Sequence, residues 1–287
     1  MLKNLKNLKV FNLSVTNGVI PLGLISNLQQ LKVFRFSIEI VGRNNGKEEK
    51  EFLEELGCLS NLEELWIEIE TENGLNKLLD STKLQNCISR LWIGSNDNFL
   101  LINMSSLLAT MLKMEHLQLL YLDRVTNIVE HSLVFGTHCL SMLQRVTIRE
   151  CHSIHYLTWL KHAPLLNRLE ISNCTSLEEV IKGEGSEEEK ANVDSIFSSL
   201  VLLSLDDLPN LKSIHERVLS FSSLVSIEVY DCPNLKRLPF DSNSAKAKLR
   251  LINGEPEWWD SLEWDNPAIK TTFQSRFLGF GALFSQM

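Results

Sequence analysis

The side chains best suited to chemistry in this sequence crowd into one stretch. Five of the seven histidines lie between residues 131 and 162, with Cys139 and Cys151 among them, and Cys151-His-Ser-Ile-His155 has the form of half a metal site. Zinc takes thiolate and imidazole ligands in closely spaced pairs, the form this segment has. Its phase argues against a metal. Cys151 holds the place in its sequence phrase that Cys174 and Cys232 hold in theirs, and thiols recurring at one repeat position are explained by burial in equivalent turns. The closest approach to a phosphate-cradling loop, Gly42-Arg-Asn-Asn-Gly-Lys-Glu48, is one spacer residue short and has Glu48 where a Ser or Thr would hold magnesium. Nothing marks a nucleophile elbow. The expectation is therefore a protein that binds rather than catalyses, with no metal site and no cofactor in this chain.

What positions these residues is a repeat. The phrase apolar-x-x-apolar-x-x-apolar-x-apolar appears as Leu5/Leu8/Phe11/Leu13, Leu28/Leu31/Phe34/Phe36 and Leu59/Leu62/Leu65/Ile67. Later copies include Ile88/Leu91/Ile93, Met114/Leu117/Leu120/Leu122, Leu140/Leu143/Val146/Ile148, Leu166/Leu169/Ile171, Phe197/Leu200/Leu203/Leu205 and Phe221/Leu224/Ile227/Val229. Counted on the third apolar position, the nine copies are spaced 27 residues apart on average, the period of leucine-rich repeats. The end of each phrase alternates with period two, as a half-buried strand requires. One strand cannot bury its apolar face alone, so the repeats must stack. The expected fold class is α/β: a leucine-rich-repeat solenoid, or horseshoe, with a parallel β-sheet on its concave face and an irregular, short-helical convex face.

The outward residue of each strand, between its two inward apolar positions, then forms the informative surface. This column reads Asn12, Arg35, Trp66, Trp92, Tyr121, Thr147, Glu170, Ser204 and Glu228. Neighbouring strands lie about 4.8 Å apart, so Trp66, Trp92 and Tyr121 are expected to form an aromatic ridge, a composition enriched at interface hot spots. The rings would serve a partner or be covered by one another or by the 43–51 insertion. Arg90, Arg145 and Arg168 on one flank and Arg124 and Arg149 on the other make a local basic band. It would receive acidic groups or phosphate from a partner, or be paired internally with Glu150 and Glu170. Trp66, Trp92, Tyr121, Arg90, Arg124, Arg145, Arg149 and Arg168 are thus the candidate partner-binding residues.

Composition bounds the rest. With 36 acidic against 28 basic residues the chain carries a net charge of −8, which gives it no overall footprint for nucleic acid or anionic lipid. Six scattered cysteines without a CxxC pair point to a reducing compartment. The opening Met-Leu-Lys-Asn-Leu-Lys lacks the unbroken apolar run of a secretory signal. The longest apolar stretch, Phe99 to Leu112, is broken by polar residues and too short to span a bilayer. A cytoplasmic location is expected, which discounts the sequons at Asn12, Asn103 and Asn173. Charge-rich insertions at 43–51 and 183–190 are expected to be mobile loops, and the spacing of Leu101, Met104, Leu108 and Met111 predicts a short convex-side helix.

Two domains are expected: repeats over 1–252, and a C-terminal cap with tail over 253–287, where Glu255-Pro-Glu-Trp-Trp-Asp-Ser-Leu-Glu-Trp264 would cover the open end of the core. Nothing comparable caps the other end, which suggests a chain cut from something longer. Several phrases resemble the leucine-rich region of plant intracellular disease-resistance receptors, the coiled-coil/nucleotide-binding/leucine-rich-repeat class. They are Leu165-Leu-Asn-Arg-Leu-Glu-Ile-Ser-Asn-Cys174, Leu205-Asp-Asp-Leu-Pro-Asn-Leu-Lys-Ser-Ile214, Ile227-Glu-Val-Tyr-Asp-Cys-Pro-Asn-Leu-Lys-Arg-Leu-Pro239 and Gly254-Glu-Pro-Glu-Trp-Trp259. The resemblance implies a recognition and autoinhibitory role in defence. It implies as partners a pathogen effector or guarded host protein and the receptor's own nucleotide-binding domain, to which any ADP or ATP would belong. The alternative is a free-standing leucine-rich adaptor or a substrate-recruiting subunit of a ubiquitin ligase. A secreted ectodomain is disfavoured by the missing signal and unpaired cysteines.

Overall fold

A computed structural model describes residues 5–13, 20–36, 46–94, 102–122, 125–126, 140–183, 195–241, 243–244 and 248–279. The chain divides into two compact units, Met1–Met142 and Leu143–Met287.

In the first unit the strands are β1 (Val10–Leu13), β2 (Val33–Phe36), β3 (Glu64–Ile69), β4 (Ile88–Gly94), β5 (Ile102–Asn103), β6 (His116–Leu120) and β7 (Val125–Thr126). The first four and β6 pair in parallel in that order, while β5 pairs with β7 separately. Alternation does what the repeat phrase requires. In β3, Leu65, Ile67 and Ile69 are fully buried while Glu64, Trp66 and Glu68 stay partly open. Each such buried side chain contributes on the order of 1.5–3 kcal/mol of apolar transfer, and stacking supplies the partner surface.

The charge-rich insertion at 43–51 is not a loop over its described part. Residues Gly46–Gly57 form helix α1. Glu48 and Glu49 complement the helix dipole in its first turn, and the apolar residues just past the charged run, Phe52, Leu53 and Leu56, are fully buried. Phe52 meets Phe34 of β2 with ring centroids 5.9 Å apart. The helix is tied to the next repeat by Glu49, only 6% exposed. Its carboxylate accepts the backbone N–H of Glu70 at 2.8 Å and of Thr71 at 3.1 Å, together with the Thr71 hydroxyl. Thr71 caps helix α2 (Glu72–Leu79) by accepting the N–H of Gly74. A Cβ at Gly74 would lie 1.8 Å from the Glu49 carboxylate, so this position must be glycine for the tie to form. Burial pushes the Glu49 pKa up, opposed by the bonds from Thr71 and Glu70. Helices α3 (Thr82–Gln85) and α4 (Met104–Thr110) follow, α4 falling where the leucine and methionine spacing predicts a helix.

The second unit carries β8 (Arg145–Arg149), β9 (Arg168–Ser172), β10 (Leu202–Asp206), β11 (Ser226–Tyr230), β12 (Leu251–Gly254) and β13 (Phe277–Gly279), paired in parallel in chain order. Beyond β8, β9 and β11 the chain turns through Glu150, Asn173 and Asp231, with φ of 52°, 50° and 47°, and arrives at the recurring cysteine. The thiols of Cys151, Cys174 and Cys232 donate to the carbonyls of Arg149, Ser172 and Tyr230 at 3.2, 3.3 and 3.1 Å. Each satisfies the last strand carbonyl while filling the core, the placement that the recurring position predicts. The 183–190 insertion lies outside the described residues beyond Gly183.

From residue 253 the repeat phrase stops, but the sheet does not: β12 and β13 add two strands within and beside the cap. Helix α5 (Pro256–Ser261) buries Trp258 and Trp259, and α6 (Pro267–Gln274) buries Ile269 and Phe273. Trp259 stacks on Phe277 of β13 at 4.6 Å. Gly254 is obligatory here, since a Cβ would meet the Val229 carbonyl at 2.6 Å and the Trp258 ring at 2.8 Å. Among the described residues no helix is long and apolar enough to cross a membrane.

Candidate interaction surface

The open face of each sheet, opposite its buried side chains, is where the candidate residues fall, and register decides which of them meet. In the first unit Asn12, Arg35 and Trp66 share one column. The column then breaks from the expectation. Leu65 pairs with Ile88 but Trp66 pairs with Arg90, the register shifting at this point. Trp92 lies two residues further on, between Glu68 and Gln118. Tyr121 is not in a strand at all: it follows β6 at φ 54°, the left-handed turn position that Glu150, Asn173 and Asp231 hold in later repeats. The ridge of three successive aromatics is therefore not formed.

What forms instead is a clamped tryptophan. The guanidinium of Arg35 lies 4.6 Å from the centre of the Trp66 ring and that of Arg90 lies 3.6 Å from it. Arg35 is itself held by Glu64 through two bonds, Nε to Oε1 at 2.9 Å and Nη2 to Oε2 at 3.2 Å, the fork geometry that makes such pairs directional. The bond to Glu64 raises the Arg35 pKa further. Each cation–π contact is worth about 0.5–2 kcal/mol. Together they hold a half-buried indole in one orientation, which lowers the entropy lost when a partner covers it.

The basic band is divided. Arg124 lies outside the described residues. In the second unit Arg145 and Arg168 are register partners, with Arg149 at the far end of β8, opposite Ser172. Arg168 bonds Glu170, and Arg149 lies 3.7 Å from the same carboxylate, the internal pairing named as the alternative. Arg145 is exposed. His131, His138 and Cys139 lie outside the described residues; of the histidines beside Cys151, His152 Nδ1 meets the Thr175 hydroxyl at 3.2 Å and His155 Nδ1 lies 3.7 Å from Glu178. Burial holds the Cys174 thiol up to about 11 and the Cys232 thiol up to about 12, so both are protonated at neutral pH and poor ligands or nucleophiles.

One strand per repeat, a left-handed turn after the strand and a core of stacked leucines define a leucine-rich-repeat protein. Residues 113–252 match the family described as plant disease resistance protein RPS2-like, leucine-rich repeats. The chain is 31% identical over 228 residues to disease resistance protein RPS5 of Arabidopsis thaliana, covering 77% of this chain and 26% of that protein. It is 30% identical to the probable disease resistance protein At1g12290 and 32% identical to the putative disease resistance protein At4g10780, both of Arabidopsis thaliana. Each of these alignments covers 95% of this chain, and 30% and 31% of the relative. The chain belongs to the leucine-rich-repeat family of plant disease-resistance proteins, and spans about a third or less of the length of the relatives it matches.

Proposed function

We propose that this chain is the protein-recognition and autoinhibitory repeat region of a plant immune receptor, sensing a pathogen effector or a guarded host protein from the cytoplasm. The observation that carries the reading is the match along 95% of the chain to disease-resistance proteins about three times its length. A repeat region of that kind works by binding: it needs no catalytic group or cofactor of its own, and ADP or ATP would be held by a nucleotide-binding domain of the same receptor. That domain is one partner and the sensed protein the other.

The recognition face is the open side of β2, β3 and β4. Trp66, clamped by Arg35 and Arg90, supplies a rigid aromatic anchor, and Trp92 adds a second between Glu68 and Gln118. Tryptophan, tyrosine and arginine are the side chains enriched at interface hot spots. Arg145, Arg149 and Arg168 contribute charge on the second unit, where Glu170 holds two of them in place; Tyr121 and Arg124 extend the candidate set.

The test of the reading is the size of the native chain. An immunoblot of source tissue with an antibody against residues 184–194 should show a band about three times the 32.8 kDa of this chain. A band only at 32.8 kDa would overturn the receptor reading and leave a free-standing binding module.

A further inference from the structure

The open face of the second unit changes character along its length. Arginines occupy β8 and β9, but in β10 and β11, and directly after β10, β11 and β12, the charged groups are carboxylates. Asp206 ends β10 in register with Tyr230 of β11. Glu228 stands two residues before Tyr230, and Glu255 follows directly on β12 beside it. Asp207 and Asp231 occupy the adjoining turns. Burial and the neighbouring Asp231, Asp207 and Glu255 push Asp206 up, with Arg149 opposing; burial together with Glu228, Glu255 and Asp206 pushes Tyr230 up. These are the signs of negative charge gathered around a partly desolvated ring.

A second observation lies outside the carboxylates. Asn253, register partner of Glu228, is only 7% exposed, and its Oδ1 has no hydrogen-bond partner. A buried acceptor left without a partner is destabilising, and a donor that reaches it removes that cost. Next to this face opens a cavity of about 490 Å³ walled by Asp207, Asp231, Glu255 and Trp258, with Lys236 at its side. Lys236 donates to the Ser261 hydroxyl at 3.1 Å.

We infer that the face around Tyr230, with Asp206, Glu228, Asn253 and Glu255, docks an arginine-bearing segment of a partner protein. The chemistry selects the residue type. The carboxylates of Asp206, Glu228 and Glu255 and the amide oxygen of Asn253 are acceptors, and a guanidinium offers five N–H donors in a plane and no acceptor. That plane stacks on a tyrosine ring while its edges reach carboxylates and an amide oxygen; an ammonium has three donors and no plane. The inference rests on reading the chain as a protein-recognition module, but it uses a surface separate in sequence and chemistry from that of Trp66.

The test uses the whole chain and a fluorescein-labelled peptide alternating glycine and arginine, read by fluorescence anisotropy at about 0.15 M salt, where surface charge is screened beyond about 8 Å. Matching glycine–lysine and glycine–glutamate peptides run in parallel. The arginine peptide should bind saturably, the lysine peptide at least about fivefold more weakly and the glutamate peptide not at all. The double variant Asp206→Asn/Glu228→Gln should weaken binding at least about tenfold, whereas Glu54→Gln/Glu63→Gln, equal in charge but in the first unit, should leave it within about twofold. If the first double variant does not fold, Tyr230→Phe, expected to bind as wild type, and Tyr230→Leu, expected to bind at least about fivefold more weakly, decide the matter. Absence of saturable binding, equal binding of lysine and arginine peptides, or equal loss in the control variant would overturn the inference. Trp66→Ala should leave peptide binding unchanged, so failure at this face and failure of the Trp66 face are separately visible.

Discussion

The two units build the same repeat and use it differently. In the second, β8 to β12 keep one register throughout, a left-handed residue directly follows each of β8, β9, β10 and β11, and the open face passes smoothly from arginine to carboxylate. In the first, the register shifts between β3 and β4, a twelve-residue helix lies in the connection from β2 to β3, and the open face is organised around one tryptophan. The regular unit shows what stacking alone produces. The irregular one shows that a shifted register is what brings Arg90 level with Trp66, and that strict periodicity would have set Trp92 there instead.

The comparison is broken most severely by removing the feature that marks the first unit. Trp66→Ala should lower partner association in pull-downs of the receptor-length protein more than tenfold, about 2 kcal/mol or more as for other interface anchors; losing two cation–π contacts of about 0.5–2 kcal/mol each also lowers the melting temperature, so association is compared well below it. In the second unit the corresponding blow is to packing. Gly254→Ala, forcing a Cβ against Val229 and Trp258, should cost about 2 kcal/mol by overpacking, measured as a lower urea midpoint at unchanged slope.

Glu49→Gln sharpens the contrast, because only the first unit depends on a buried carboxylate to hold an insertion. Losing charge-assisted bonds to the Thr71 hydroxyl and two backbone N–H groups should cost about 1–2 kcal/mol at neutral pH. Its pH dependence has a definite sign. Burial raises the folded-state pKa above the ordinary 4.5, so the folded state binds the proton more tightly than the unfolded one. The stability that Glu49 contributes is therefore greatest below 4.5, falls as pH rises toward the folded value and is level above it. The melting difference between wild type and Glu49→Gln should shrink from pH 4 to pH 7; a constant difference would refute the burial argument. The smallest effect is expected at Tyr121, a bulky residue at φ 54°. Tyr121→Asn should raise stability by about 0.5–1 kcal/mol, since asparagine tolerates this turn conformation better.

Much of this was legible from the pattern of leucines. Val146/Ile148, Leu169/Ile171, Leu203/Leu205 and Ile227/Val229 each allow a single alternating frame, and all four sit where that frame puts them, buried. The stretch Leu117-Gln-Leu-Leu-Tyr-Leu122 allows two frames, Leu117/Leu119 or Leu120/Leu122, and hydrogen-bond pairing with β4 selects the first. That choice moves Tyr121 out of the strand. Helix α1 was hidden because its charged residues come first and its buried Phe52, Leu53 and Leu56 come last, so composition reads as a loop. Strands β12 and β13 were hidden for a different reason: β12 keeps only Leu249 of the lead-in and β13 has none, and their pairing is supported by the cap, with Trp259 against Phe277. The acceptor-rich face around Tyr230 could have been read from Asp206, Tyr230 and Glu255 as outward positions, but the missing partner of Asn253 is visible only in three dimensions.

The central claim is that partners meet the open face of β2–β4. The direct measurement is site-specific photo-crosslinking in leaf tissue mounting an immune response, with the photoreactive residue at Gln118, register partner of Trp92, and for comparison at Leu112, exposed at 45% and outside any strand. The account predicts a discrete higher-mass adduct from position 118 that disappears in Trp66→Ala, and none from position 112. Adducts from 112 alone, or from 118 regardless of Trp66, would contradict it.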